Sequence, residues 1–111
     1  MTRQELLPQE LLEQIPAVYS GAGTPLNDKI IKVKYFLANF TWLVTECEVH
    51  ECGDVEFFGF VINDADPDLS EWGYFTLNQL AEIDVLGGVE RDLHFKECTF
   101  GEYMERRRTN G

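Results

Sequence analysis

Three groups of residues in this 111-residue chain have types and spacings that could do chemistry. The first is Glu90-Arg91-Asp92. On a strand its two carboxylates point to one side and Arg91 to the other. Two carboxylates on one face can divide acid and base work once their surroundings split their pKa values. With a divalent cation between them they would make a small metal-assisted hydrolase or nuclease accessory. The same triplet also serves as a structural ion pair, Arg91 bridging acids on a neighbouring strand, and this is the reading preferred here. The second group is Cys47, His50 and Cys52, with His94 and Cys98 farther along. Thiolate and imidazole are zinc ligands, but the spacing C-x2-H-x-C followed by H-x3-C matches no standard knuckle. Cys47 alternates with Thr45 and Val49 as a buried small hydrophobe would. The third group, Asp64, Asp66 and Asp68, imitates the first ligand positions of a calcium loop. It then fails, with Leu69 where glycine is needed and Phe75 where a bidentate glutamate is needed, and Pro67 stiffens the chain. A solvated acidic turn is expected there, so no metal or other cofactor is anticipated. There is no Ser-His-Asp order with a nucleophile elbow, no phosphate-cradling glycine loop and no H-E-x-x-H pattern. These absences favour a protein that is not an enzyme, in which Gly87-Gly88 is only a turn.

The charge carries a stronger signal. The formal net charge is −11, and Glu46 to Glu90 holds 12 of the 20 acidic residues with neither a lysine nor an arginine. Glu46, Glu48, Glu51, Asp54 and Glu56 crowd one hairpin end, and Asp64, Asp66, Asp68 and Glu71 crowd the following loop. Carboxylates this dense repel one another within a total stability of only about 5–15 kcal/mol. A docking function rationalises them: a carboxylate-rich face standing in for phosphates against a basic, nucleic-acid-binding protein, where complementary fields speed encounter. Ordinary solubility is the plainer alternative. Such a charge opposes direct binding to nucleic acid or to an anionic membrane. Trp72, beside the acidic loop, has the composition of a contact hot spot. A structural homodimer formed through a sheet edge or through Trp72 is a further alternative.

The elements that must position these residues follow from periodicity. Leu7 to Ile15 reads as a short helix, started at Pro8 and stopped by Pro16, with Leu7, Leu11, Leu12 and Ile15 in one stripe. Tyr19 to Asp28 is a loop. Ile31, Val33, Tyr35 and Leu37 alternate with Lys32 and Lys34 on a half-buried strand. Ala38-Asn39 turns the chain into a second strand, Phe40 to Val49, in which Trp42 and Val44 alternate against Leu43 and Cys47. After a polar turn containing Gly53, Val55 to Ile62 makes a third strand, apolar enough to be central. Gly73 to Phe75 is a short fourth strand. Thr76 to Gln79 is a capping box, opening a helix with Leu77, Leu80, Ala81 and Ile83 inward. Val89 to Lys96 is the fifth strand, and Thr99 to Glu102 caps a short C-terminal helix. The sum is α+β: a four- or five-stranded antiparallel sheet with short N-terminal, central and C-terminal helices, in one domain over 1–111. The ends, 1–6 and 105–111, are expected to fray. No signal-peptide core or spanning segment is visible, and three cysteines suit reduced thiols, so the cytoplasm is the expected compartment.

With the residues laid out, FTWLVTE (Phe40–Glu46), EFFGFV (Glu56–Val61), GYFTLNQL (Gly73–Leu80) and VERDLHF (Val89–Phe95) resemble, in order and spacing, the bacterial domain-of-unknown-function family numbered twenty-nine fifty-eight. IPAVYSGAGTPLNDKIIKVKYF, beginning at Ile15, is similar to that family's N-terminal portion. The chain departs from the pattern in having Gly88 where proline is usual and in adding Cys47, His50 and Cys52. The resemblance implies a small bacterial protein often carried on plasmids, conjugative elements and phages. It brings no activity with it. Mobile elements often carry inhibitors of host defence, so the resemblance favours a docking protein aimed at a host nuclease or similar target.

Overall fold

A computed structural model describes residues 5–110. Helix α1 is a single turn, Gln9–Leu12, entered from Pro8. It is shorter than the apolar stripe suggested, though Leu7, Leu11, Leu12 and Ile15 all pack on the core as expected. Leu6 is buried, and its carbonyl accepts a 2.7 Å hydrogen bond from the Tyr35 hydroxyl. The expected N-terminal fraying therefore stops short of Leu6, and its first four residues lie outside the described ones. Two 3-10 turns, Val18–Gly21 and Leu26–Asp28, organise the following loop.

The strands come next in order: β1 (Ile30–Ile31), β2 (Val33–Leu37), β3 (Phe40–Val49), β4 (Val55–Asn63) and β5 (Glu71–Thr76). Then follow α2 (Leu77–Glu82), β6 (Glu90–Arg91), β7 (Cys98–Thr99) and α3 (Phe100–Asn110). A five-stranded antiparallel sheet runs β5-β4-β3-β2-β6, while β1 and β7 form a two-stranded sheet of their own. Strands β2 to β5 are a meander. The chain then crosses beneath the sheet through α2 and adds β6 at the far edge. That extra edge strand makes β3 the centre, where the apolar run had suggested β4. Among the described residues no helix is long and apolar enough to cross a membrane.

Two cores sandwich the sheet. Val33, Tyr35, Trp42, Val44, Phe57 and Leu80 meet under α1 and α2 on one face. Ile31, Leu43, Ile62 and Phe100 meet under α3 on the other, with Phe60, Trp72 and Tyr103 packed around them. The alternation expected from Ile31 to Leu37 breaks at Lys32, between β1 and β2, so Ile31 joins the second core while Val33 and Tyr35 join the first. A second break, a bulge between Val44 and Glu46, falls within seven consecutive buried residues of β3, Thr41 to Cys47, since this central strand is covered on both faces. Bulges put two residues of one strand against one of its partner and strengthen the local twist. The sheet is closely applied there: a Cβ at Gly59 would stand 1.9 Å from the Leu43 carbonyl oxygen.

Both capping boxes form. The Thr76 hydroxyl accepts from the Gln79 N–H at 3.0 Å while the Gln79 amide oxygen accepts from the Thr76 N–H at 2.9 Å. Thr99 and Glu102 repeat the exchange at 3.1 and 2.9 Å. Ala81 is exposed rather than inward, because α2 is too short to bury more than the Leu77, Leu80 and Ile83 stripe. The fifth strand ends after two residues, since the Asp92 carboxylate accepts from the His94 N–H at 2.9 Å and folds the chain into a turn. The residues from 105 to 110 continue α3, and Arg107 within them pairs with Asp64.

Candidate functional site

The acidic residues fall into two groups at opposite ends of β4. Its nine residues set them roughly 26 Å apart at the rise of a strand. The single carboxylate-rich wall expected from the sequence is therefore divided. At the β3–β4 hairpin end Glu48 stands opposite Glu56, and His50 Nε2 lies 3.3 Å from Glu56 Oε1. Glu51 is exposed beside them. Asp54 is engaged in the fold, its carboxylate accepting from the Val55 N–H at 2.8 Å and the Asn78 N–H at 3.0 Å, which ties the turn to the start of α2.

At the other end Asn63 organises the loop, its side-chain oxygen accepting from the N–H groups of Ala65 and Asp66 at 3.1 Å each. Asp64 makes a bidentate pair with Arg107 at 2.8 and 3.1 Å. Asp66, Asp68 and Glu71 remain exposed. Trp72 is half-buried, with part of its ring open beside the loop. It stacks on Phe58 at 5.4 Å and meets Phe100 at 4.7 Å, because β5 turns that side chain under α3. Tyr74, two residues on, is the exposed ring.

Glu46 leaves the acidic surface altogether. The bulge at Thr45 directs it into the interior, where it is 3% exposed and pairs with Lys29 at 2.6 Å. The Lys29 ammonium also donates to the Gly21 carbonyl at 2.8 Å and lies 5.6 Å from the centre of the Phe58 ring. A buried pair with its remaining donors satisfied serves to fix geometry. It ties the 18–21 turn and the start of β1 to the central strand.

The cysteine and histidine set does not assemble. Cys47 is buried under the first face, Cys52 is exposed in the hairpin turn, and Cys98 is buried in β7. Burial pushes the Cys47 and Cys98 thiols above their ordinary value. Among the described residues the group with metal-binding geometry is Glu48, His50 and Glu56, whose ligand atoms lie within 4.8 Å of one another.

Glu90, Asp92 and His94 do meet, in an open cleft of about 450 Å³ between β2 and the turn after β6. An adjoining cleft of about 530 Å³ runs on to α3 and shares Lys34, Thr41, Asp92 and His94 with it. Asp92 faces Lys34 at 3.6 Å. Arg91 pairs in register with Tyr35, and its charge acts on a phenol whose pKa burial drives upward. The second cleft adds Lys96, Tyr103, Arg106 and Arg107, which motif reading did not connect. The available signal was the lack of any Lys or Arg between Glu46 and Glu90. All the positive charge must then come from the segments on either side, and antiparallel pairing of β2 with β6 brings those together.

The family model described as "Protein of unknown function (DUF2958)" matches residues 6–111, and the chain belongs to that family. No curated protein and no solved structure matches it.

Proposed function

We propose that this member of the family is a non-enzymatic binding protein that docks a basic, nucleic-acid-binding protein through carboxylates occupying the places of phosphates. In its specific form it is a mobile-element-encoded inhibitor acting in the cytoplasm on a host nuclease or other DNA-binding defence protein. The observation that carries the reading is the β3–β4 hairpin end. There Glu48, Glu51 and Glu56 stand together, and among the described residues His50 is the one ionic neighbour they have. Uncompensated charge of this kind speeds encounter and selects partners more than it adds affinity. The contact surface is smaller than the sequence suggested, since Glu46 is buried and Asp54 and Asp64 hold the fold. Capture of basic proteins from bacterial lysate at low and at high salt tests it. Capture should fall steeply as salt rises and disappear in the triple variant Glu48→Gln, Glu51→Gln, Glu56→Gln. Salt-independent capture, or capture undiminished in the variant, refutes the reading.

One observation favours the hydrolase alternative: Glu90, Asp92, His94 and Thr41 line the same cleft. Purified protein that binds no divalent cation, and whose hydrolytic background is unchanged by Asp92→Asn, removes it.

A further inference from the structure

The two adjoining clefts on the α3 side of the sheet invert the charge of the molecule. The chain carries 20 acidic residues against nine lysines and arginines. The cleft walls carry five cationic side chains, Lys34, Arg91, Lys96, Arg106 and Arg107, against Glu90 and Asp92. These cations come from β2, β6, the turn after it and α3, so folding gathers like charges from four places against their mutual repulsion. Internal partners account for part of this: Asp92 faces Lys34 at 3.6 Å and Asp64 holds Arg107. Among the described residues Lys96 forms no ion pair with a carboxylate, while Arg106 lies against the Cys98 thiol and within electrostatic reach of Glu102, one turn back on α3. Beside them, the Thr41 and Tyr103 hydroxyls and the His94 ring offer hydrogen-bond donors suited to an oxyanion. The Lys34 ammonium lies 5.6 Å from the centre of the Tyr103 ring, which fixes it at the cleft wall.

We infer that this double cleft binds a small organic phosphate of nucleotide size. The phosphoryl group would sit among Lys34, Lys96, Arg106 and Arg107, where charge-assisted and forked guanidinium contacts recognise it. Its planar body would lie toward Phe36 and Leu93, whose side chains line the other cleft and stay exposed, Leu93 at 62%. Volumes of about 450 and 530 Å³ fall in the range of roughly 300–1,000 Å³ typical of small-ligand sites. The net charge of −11 repels a long polyanion, so a compact phosphate fits where a nucleic acid strand does not. The inference is independent of the hairpin-end docking reading, because none of that end's carboxylates lines the clefts.

Titration calorimetry and amide chemical-shift mapping with adenosine monophosphate, inorganic phosphate and adenosine test it on the whole chain. The monophosphate should bind, inorganic phosphate should compete with it, and adenosine should bind far more weakly. Shifts should centre on Lys34, Thr41, Lys96 and Tyr103. Lys96→Gln with Arg106→Gln should weaken binding about tenfold or more. Arg108→Gln, one residue beyond the cleft on the same helix, should leave it unchanged, as should the hairpin-end triple variant. The single change Lys96→Gln, at an exposed turn residue, keeps the test valid if the double variant folds poorly. The inference is overturned if neither phosphate compound binds at concentrations on the order of millimolar, or if Arg108→Gln weakens binding as much as the cleft variants. Affinity for oligothymidylate that grows with strand length also overturns it, since that marks general attraction to polyanions.

Discussion

Lys29 and Glu46 show how a single side chain can mislead a reading made from sequence neighbours. Glu46 stands among surface acids in the sequence, yet the bulge at Thr45 turns it inward onto Lys29. No periodicity rule announces a bulge, because the extra residue leaves composition unchanged and alters only direction. Removing one member of a buried pair strands the other charge, at about 3–5 kcal/mol. Lys29→Met or Glu46→Leu alone should therefore lower unfolding free energy by that order, measured by urea denaturation. Replacing both together should lose much less. Asp92 taught the opposite lesson. Its chemistry was legible, but its carboxylate spends one oxygen on the His94 N–H and faces Lys34, and those contacts end β6 early.

At the level of elements, sequence reading did best where local chemistry decides the outcome. Both capping boxes, the Ala38-Asn39 turn and the ends of β3 were readable because each rests on neighbouring residues. The centre of the sheet and the length of the fifth strand were not, since a crossover and a side-chain hydrogen bond from elsewhere set them. Thr76→Ala and Thr99→Ala should each cost about 1 kcal/mol. The Glu102 carboxyl is held below its ordinary 4.5 by its hydrogen bonds with Thr99, the backbone N–H first. Because the folded value is the lower one, that stabilisation stands in full above 4.5 and is lost as pH falls through the folded value. Helicity of α3 should fray on acidification, and this pH dependence should vanish in Glu102→Gln, which has no carboxyl to titrate, read by circular dichroism. The two glycines that pair across β4 and β5 differ sharply. Gly59→Ala drives a methyl into the Leu43 carbonyl and should destabilise by about 1–3 kcal/mol or more, whereas Gly73 faces open space and Gly73→Ala should stay within about 0.5 kcal/mol. Thermal denaturation of the two variants compares them directly.

For the molecule as a whole, composition foretold an asymmetry of charge and mistook its shape. Depletion of Lys and Arg from Glu46 to Glu90 left β4, β5 and α2 without a cation, but the acids settled at both ends of β4 and the cations gathered by α3. The outer edge of β5 is unpaired among the described residues and presents Tyr74, which is the feature a homodimer would use. Light scattering after size exclusion should give twice the 12.8 kDa chain mass if that edge pairs, and Tyr74→Lys should return it to one. The interior also holds chemically silent copies of reactive groups. Of four lysines and three cysteines, Lys29, Cys47 and Cys98 are shut away, while Cys52 and the remaining amines reach solvent. Acylating and alkylating reagents would tag the accessible set at once and the hidden set only when the domain opens. The protein thus carries two built-in clocks for its own unfolding, one in nitrogen and one in sulfur, each with its internal zero.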